Sequence, residues 1–233
     1  MSSGRPPIAA LPSPCYPPAM TAPASIYLPR GFAEHDHGAL HDLVEAHSFG
    51  MLIAPGEGGV PMIAHLPFLL DRARGPQGTL LLHVARANPI RGALAAGAPV
   101  LAVFRGPHGY VSPSWYASRD EVPTWNYAVV HVHATPRALD DAELLASLAG
   151  LAAVHERGRP DPWTLADLTD ERRGELLPAI AGFALAVTAI EGKLKLSQNR
   201  TPEDREGALR GLAERGAPDD VALAELMKRR TPT

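Results

Sequence analysis

Apolar residues along the chain fall into short runs, some alternating with polar residues, and these runs predict six β-strands. Five of the six strands precede residue 137, and short turns rich in glycine join several of them. This order favours an antiparallel barrel with peripheral helices over a doubly wound parallel sheet. The predicted strands cover residues 49–54, 60–70, 79–85, 99–105, 125–136 and 183–196. Pro67 lies inside the second and predicts a sheet edge or a bulge there.

Helical periodicity and capping residues predict helices between and after the strands. Asp140 and Glu143 have the spacing of a capping box. Asn88 and Pro89 are a good N-cap and first residue, so the third strand is expected to run directly into a short helix. The predicted helices begin at Asp36, Asn88, Asp140, Asp170 and Thr201, and a last one covers residues 221–229. The fold class is therefore α+β, mainly β.

Composition divides the chain into three parts. Residues 1–24 are rich in proline, alanine and serine and are predicted to be disordered. Residues 25–215 form the predicted barrel domain, and residues 216–233 form a C-terminal helical tail. Cys15 is the only cysteine, which favours a reducing, cytoplasmic location. No apolar run reaches the roughly 18 to 20 residues of a membrane span, so no membrane partner is expected.

The overall charge does not favour nucleic-acid binding. The 233 residues carry a formal net charge of −3 and a pI of about 6.4, whereas duplex binding normally needs a clustered basic face. No basic helix-turn-helix pattern, dinucleotide fingerprint or phosphate loop is present in the sequence. DNA is therefore only a weakly supported partner, through a local basic patch on a dimer.

The segment 83–91 is the first candidate site. Arg86 and Arg91 flank the predicted helix start at Asn88. Free N–H groups at a helix start attract anions, and arginine holds phosphate through two parallel hydrogen bonds. A phosphorylated cofactor fits this pattern. The alternative is a plain helix cap with two solvated arginines.

Two further segments combine aromatic and polar side chains. Trp125, Asn126 and Tyr127 follow a long loop, where binding residues are often found, although they could equally pack the rim of the barrel. The second segment, 192–200, places Lys193 and Lys195 on one strand face. Its polar groups match the acceptors and the N–H of a flavin ring, and the alternative is an exposed strand end. The candidates here are Lys195, Ser197, Gln198 and Asn199.

Four histidines lie on the predicted strands, namely His65, His83, His131 and His133. A metal site needs three or four converging ligands, so no metal is predicted and strand histidines are the simpler interpretation. A histidine as the axial ligand of a haem stays open.

Six segments in order resemble the PaiB family of FMN-binding negative transcriptional regulators. They are YLPR (27–30), AHLPF (64–68), HVARANP (83–89), VSPSWY (111–116), VPTWNY (122–127) and KLSQNR (195–200). The resemblance implies an FMN-binding split β-barrel, similar to pyridoxamine phosphate oxidase, that forms a homodimer with flavin at the subunit interface. It implies that Arg86, Asn88 and Arg91 hold the flavin phosphate.

The resemblance also implies further residues in the flavin pocket, besides those that hold the phosphate. His65 on the second strand is expected to assist at the phosphate, and His83 precedes the phosphate segment. The segments around Trp125 and Lys195 are expected to supply further parts of the pocket. The family commonly has tryptophan where Leu194 stands and glutamine where Ile90 stands, so this pocket is expected to differ there.

Three functions remain open on the sequence. The resemblance carries a regulatory role in transcription. The first alternative is a flavin-dependent oxidoreductase acting on a small molecule, in which the cofactor performs the chemistry. The second is a non-enzymatic flavin or haem carrier. A homodimer is also expected from the strands between residues 49 and 105, because they are apolar on both faces and the predicted helices are few.

Overall fold

A computed structural model describes residues 25–230. The predicted disordered segment 1–24 lies outside the described residues. The chain forms two compact units. Within the described range, the first unit contains Ser48–Val103 and Val132–Ala189. The second contains residues 25–47, Phe104–His131 and residues 190–230.

Within residues 25–230, eight strands build the sheet. They are β1 (Ala33–Glu34), β2 (Phe49–Ala54), β3 (Met62–Pro67), β4 (Leu69–Asp71), β5 (Thr79–Ala85), β6 (Val100–Val111), β7 (Thr124–Ala138) and β8 (Ile180–Lys195). The strand order is β3-β2-β6-β7-β8-β5-β4, and β1 pairs with β8. The pairings of β2 with β3 and β6, of β5 with β4 and β8, and of β1 with β8 are all antiparallel.

Six α-helices accompany the sheet in the part of the chain that the structure describes. They are α1 (His37–Ala46), α2 (Ile90–Ala95), α3 (Asp141–His155), α4 (Asp170–Leu176), α5 (Pro202–Arg215) and α6 (Asp220–Arg229). The capping box predicted at Asp140 and Glu143 is present, with both reciprocal hydrogen bonds. None of the helices in the range 25–230 is long and apolar enough to cross a membrane. The expected α+β class, mainly β and antiparallel with helices around the sheet, is confirmed.

In the first unit, the predicted strand 60–70 is in fact two strands with different neighbours. β3 pairs with β2, and β4 pairs with β5, so the two strands stand at opposite ends of the sheet order. Only Phe68 separates them, and its N–H donates to the carbonyl of Ser48 at 2.8 Å. Pro67 has no N–H to give to a ladder, which explains why the strand breaks at this point.

The core of the first unit lies between the sheet and the short helices. Leu52, Leu80 and Leu185 are fully buried on the strands, and Ile90 and Leu94 bury one side of α2. A second cluster forms under α3, where Leu139 and Leu151 pack against buried Leu69, Leu81 and Ala184. The alternation of burial along β2 and β7 agrees with the period of two in the sequence.

In the second unit, α5 and α6 pack into one apolar cluster with the ends of the long strands. Its buried members are Val111, Tyr116, Ala128, Leu194, Leu196, Ala208, Leu212, Leu223, Ala224 and Met227. Leu194, a position expected to change the pocket, is part of this core. α6 belongs to the segment predicted as a separate tail, yet Leu223 and Met227 are fully buried.

β6 continues to Val111, although the sequence predicts a loop from residue 106. Glycine and proline at 106–109 suggested that loop. Gly109 is required in the strand because helix α6 packs against it. A Cβ atom there would lie 2.9 Å from Leu223 Cδ2 and 3.0 Å from Arg215 Nη2. Tertiary packing therefore overrides the local signal.

Candidate functional site

The twelve predicted site residues divide between the two units. His65, His83, Arg86, Asn88 and Arg91 belong to the first unit. Trp125, Asn126, Tyr127, Lys195, Ser197, Gln198 and Asn199 belong to the second.

In the first unit, hydrogen bonds hold the turn between β5 and α2, some within the turn and one to Ala179. The N–H of Arg86 donates to Ala179 O at 2.8 Å, and that of Asn88 donates to Ala85 O at 2.9 Å. Asn88 Oδ1 accepts from Ile90 N at 3.1 Å, and α2 begins at Ile90, one residue after the predicted Pro89. These bonds fix the backbone that carries the two arginines.

Arg86 and Arg91 place two exposed guanidinium groups on this turn. Arg91 Nε donates to Arg86 O at 3.0 Å, which ties the second arginine to the first. α2 has only six residues, so its N-terminal dipole adds less than the sequence suggested, and the two side chains are the stronger anion-binding groups. Ile90, a position expected to change the pocket, is buried and packs in the core.

The two histidines of this group occupy different environments. His65 is exposed on β3, and its ring stacks on Phe49 with centroids 6.5 Å apart. His83 is half-buried on β5, and burial lowers its pKa. His83 is therefore neutral at physiological pH and has one ring nitrogen that donates and one that accepts.

In the second unit, three of the predicted residues hold the turn after β8. Asn126 is fully buried, and its Nδ2 donates to Ser197 Oγ at 2.8 Å and lies 3.5 Å from Met227 Sδ. The side chain of Gln198 bonds to the backbone of the residues just before it. Its Nε2 donates to Leu194 O, and its Oε1 accepts from Leu196 N. Ser197 has a φ of 60°, a conformation that is uncommon for residues other than glycine and asparagine. Asn199 is exposed.

The other predicted residues of the second unit form an aromatic and basic surface. Trp125 is exposed and stacks on His108, with centroids 6.1 Å apart, while Tyr110 meets it edge-on at 6.2 Å. Lys195 Nζ donates to Trp125 O at 2.8 Å and to Thr124 Oγ1. Burial lowers the pKa of Lys195, and the neighbouring cations Arg200 and Lys193 lower it further.

Two further residues belong to this surface, Lys193 and Tyr27, and neither is among the twelve predicted site residues. Lys193 Nζ donates to Tyr27 O at 2.7 Å and lies 5.2 Å and 5.6 Å from the ring centroids of Tyr27 and Tyr127. Alternation along the strand was a usable signal for Lys193, because it shares a face with Lys195. Nothing in the local pattern around Tyr27 predicts this contact.

The remaining strand histidines have structural partners. His131 Nδ1 and Ser25 Oγ share a hydrogen bond of 2.8 Å, and Ser25 also donates to Glu191 Oε2 at 2.8 Å. The carbonyl of His133 accepts from Thr188 Oγ1 at 3.1 Å. Within residues 25–230, no three histidine, cysteine, aspartate or glutamate side chains are grouped as metal ligands.

Comparison with known proteins defines the class. The family model "Putative FMN-binding domain" matches residues 26–189. The FAD and haem binding protein from Mycobacterium smegmatis has a similar structure, with a TM-score of 0.53 over 70% of this chain and 73% of that chain. At 22% identity, this likeness shows the fold alone. The fold and the matching domain are those of FMN-binding split β-barrel proteins.

Proteins with similar sequences identify the family within this class. "Protease synthase and sporulation protein PAI 2" from Bacillus subtilis is 32% identical over 203 residues, covering 87% of this chain and 97% of that protein. An uncharacterized protein of Aspergillus fumigatus is 28% identical over 72% of this chain and 82% of its own length. The chain belongs to the PaiB family, and both the predicted family and the predicted cofactor, FMN, are confirmed.

Proposed function

We propose that this protein is a homodimeric FMN-dependent oxidoreductase that acts on a small molecule, and that Arg86 and Arg91 hold the flavin phosphate. The observation that carries the phosphate assignment is the turn between β5 and α2. It presents two exposed guanidinium groups, and the bond from Arg91 Nε to Arg86 O links them. A phosphate with two negative charges suits paired guanidinium groups better than any neutral ligand does.

The other residues of the first unit support this assignment in specific ways. Asn88 holds the turn through its bond to Ile90 N, so it positions the arginines rather than binding the phosphate with that oxygen. His83, neutral at physiological pH, offers one donor and one acceptor. Bound FMN supplies the electron transfer, and these side chains bind and orient it. The flavin contacts of His65 and of the second-unit residues stay a prediction.

The homodimer is supported by an apolar face of the first unit. β2 pairs Ile53 with Ile63 on β3 and with Leu101 on β6. The same face carries Met51 and Phe49, and Phe49 and Ile63 are 69% and 56% exposed. The opposite face of β2 is buried. Exposed apolar surface running across three strands is typical of a protein interface, and a second copy of the chain is the occupant we propose.

The alternative function is regulation of transcription, which the name of the Bacillus subtilis relative suggests. The two C-terminal helices form a pair: α5 and α6 are joined by a short turn at residues 216–219. In DNA-reading helix pairs, the second helix presents its first residues to the duplex. Here the half-exposed carboxylate of Asp219 lies at that start and repels phosphates, while Asp220 is buried in an ion pair with Arg215. This acidic start favours the oxidoreductase, and the same proposal places the protein in the cytoplasm, in keeping with a single cysteine.

The first experiment is the absorbance spectrum of the purified protein, followed by titration of the flavin-free chain with FMN and riboflavin. We expect a flavin spectrum and FMN binding at least tenfold tighter than riboflavin, because a charge-assisted contact contributes about 1.5 to 3 kcal/mol. Equal affinity for the two flavins would contradict the phosphate site. Bleaching of bound FMN by NADH or NADPH supports the oxidoreductase, and a sequence-specific gel shift without bleaching would favour the regulator.

A further inference from the structure

Two lysines in the second unit share one face of β8. Lys193 and Lys195 are two residues apart, which places their side chains on the same side of the strand. Lys195 reaches β7 through its bond to Trp125 O, and Lys193 lies beside the ring of Tyr127 on the same strand. The side chains therefore place two ammonium groups beside β7, that of Lys195 half-buried and that of Lys193 buried.

Among the described residues, these two charges have no carboxylate counter-ion. Among the ion pairs formed within residues 25–230, none includes Lys193 or Lys195. The nearby cation Arg200 is neutralised by Glu121 at 2.6 Å. Glu191, on the same strand face as Lys193, accepts two hydrogen bonds from Ser25. The lysine pair thus keeps an uncompensated positive charge.

The position of Lys193 makes that charge unusual. The residue is only 7% exposed, and a buried cation normally requires a paired charge or several hydrogen bonds. Lys193 Nζ has one carbonyl acceptor, Tyr27 O, and two tyrosine ring faces. The ring faces stabilise the cation partly. An anion placed beside the pair would lower the free energy of both ammonium groups, whose mutual repulsion helps to depress the pKa of Lys195.

An aromatic side chain stands next to this charge. The carbonyl of Tyr27 is fixed by Lys193 Nζ, but the residue is 83% exposed. A large aromatic residue anchored through its backbone and open to solvent offers a flat face for another ring system. The surface therefore combines a stacking platform with two adjacent positive charges.

We propose that Lys193, Lys195 and Tyr27 bind a nucleoside diphosphate group, with the base against the tyrosine ring and the phosphates beside the ammonium groups. The inference rests on the proposed function, in which Arg86 and Arg91 of the other unit hold the FMN phosphate. The nucleotide is therefore a second ligand of the flavin-loaded protein. A ligand with a planar base and at least two negative charges matches both halves of the surface.

The test is calorimetric titration of the FMN-loaded protein with ADP, adenosine and pyrophosphate, each alone. ADP is expected to bind at least tenfold more tightly than either fragment, and its affinity is expected to fall as salt is raised. Lys193→Met is expected to weaken ADP and pyrophosphate binding at least tenfold while FMN is retained. Lys228→Met is the matched control, because Lys228 is exposed on α6 and pairs only with Glu225.

A second variant keeps the test valid if Lys193→Met fails to fold. Tyr27→Ala removes an exposed ring and leaves the backbone carbonyl in place, so it is expected to weaken ADP and adenosine and to leave pyrophosphate unchanged. The proposal is overturned if wild-type protein does not bind ADP, or if both variants bind ADP as tightly as wild type does. Loss of FMN in Lys193→Met would assign the lysines to the flavin instead. If the wild type fails to retain FMN, the proposed function fails, and ADP titration of the flavin-free chain still decides this inference.

Discussion

Arg137 and Glu143 face each other through two hydrogen bonds, from Nη1 to Oε2 at 2.9 Å and from Nη2 to Oε1 at 2.6 Å. Arg74 Nη2 donates to the same carboxylate at 3.1 Å, and the N–H of Asp140 donates to it at 3.2 Å. The hydrogen bonds from Arg137 are the main reason that the pKa of Glu143 is lowered to about 2, and they outweigh the effect of burial. This carboxylate joins the start of α3 to two arginines of the first unit.

Replacing Glu143 with glutamine is expected to lower the free energy of unfolding by about 3 kcal/mol or more, because Arg74 is left buried without its counter-ion. The folded pKa lies below the ordinary value of 4.5, so this stability is present above pH 4.5 and is lost as the pH falls toward 2. Urea unfolding of wild type and variant across that range measures both effects. Glu175→Gln, which breaks an exposed pair with Arg172, should change stability by less than about 0.5 kcal/mol. Parallel pH profiles for wild type and Glu143→Gln would contradict this account.

Arg86→Ala is expected to weaken FMN binding roughly tenfold or more and to leave the melting temperature of the flavin-free chain unchanged. The reason is that Arg86 is exposed and its backbone N–H, which the substitution keeps, makes the bond to Ala179. Flavin fluorescence titration measures the affinity. Arg172→Ala is the control, since it removes an exposed arginine of the same unit. Unchanged flavin retention in Arg86→Ala would show that the residue is only a solvated arginine beside a helix.

Ile63→Asp is expected to shift the protein toward monomer by more than tenfold in dissociation constant. A buried isoleucine contributes about 1.5 to 3 kcal/mol at an interface, and the carboxylate would have to be desolvated. Sedimentation over a wide concentration range measures the change. Val221→Asp is the matched control, because Val221 is also exposed but lies at the first turn of α6, where an acidic residue is tolerated. A wild-type monomer that keeps its flavin would refute the dimer.

Gly211→Ala is expected to destabilise the protein by roughly 1 to 3 kcal/mol, the usual effect of overpacking a core. A Cβ atom at this position in α5 would overlap the ring of Trp115. Gly174→Ala in α4 is the control, because no atom lies within 4 Å of the added carbon, and alanine there should stabilise the helix by about 0.5 to 1 kcal/mol. Thermal unfolding of both variants tests the difference, and a Gly211→Ala variant as stable as wild type would be inconsistent with the packing of α5 on Trp115.

The sequence predicts the fold well where a segment contains its own alternation, turn residues or helix cap. β2 and β5 have the bounds that alternation and flanking turns predict, and the caps at Asp140 and Thr201 begin helices as expected. The errors occur where distant contacts decide. Gly109 continues a strand because α6 needs the space, and Phe68 divides a strand because its two halves have different partners.

The site could be predicted only as a set of residue types. Asn126 and Ser197 are predicted site residues because of their polar groups, but the sequence does not show that they form a buried hydrogen bond with each other in the second unit. Burial of polar side chains depends on α6, which comes a hundred residues after Asn126 and contributes Met227. The sequence also does not give the solvent exposure of the Arg86 and Arg91 side chains. A capped turn and an anion site have the same sequence pattern, so the two interpretations cannot be separated without it.

The antiparallel pairing of β5 with β8 has a consequence for synthesis of the protein in the cell. The paired residues, from Thr79 with Ala186 to Ala85 with Ile180, lie about a hundred positions apart along the chain. At roughly 5 to 20 residues per second, the ribosome needs several seconds to deliver β8 after β5. During that interval the leucine-rich edge of β5 has only β4 beside it, and such edges pair with other chains. Chaperones that cover this edge during synthesis are therefore expected to raise the yield of folded protein.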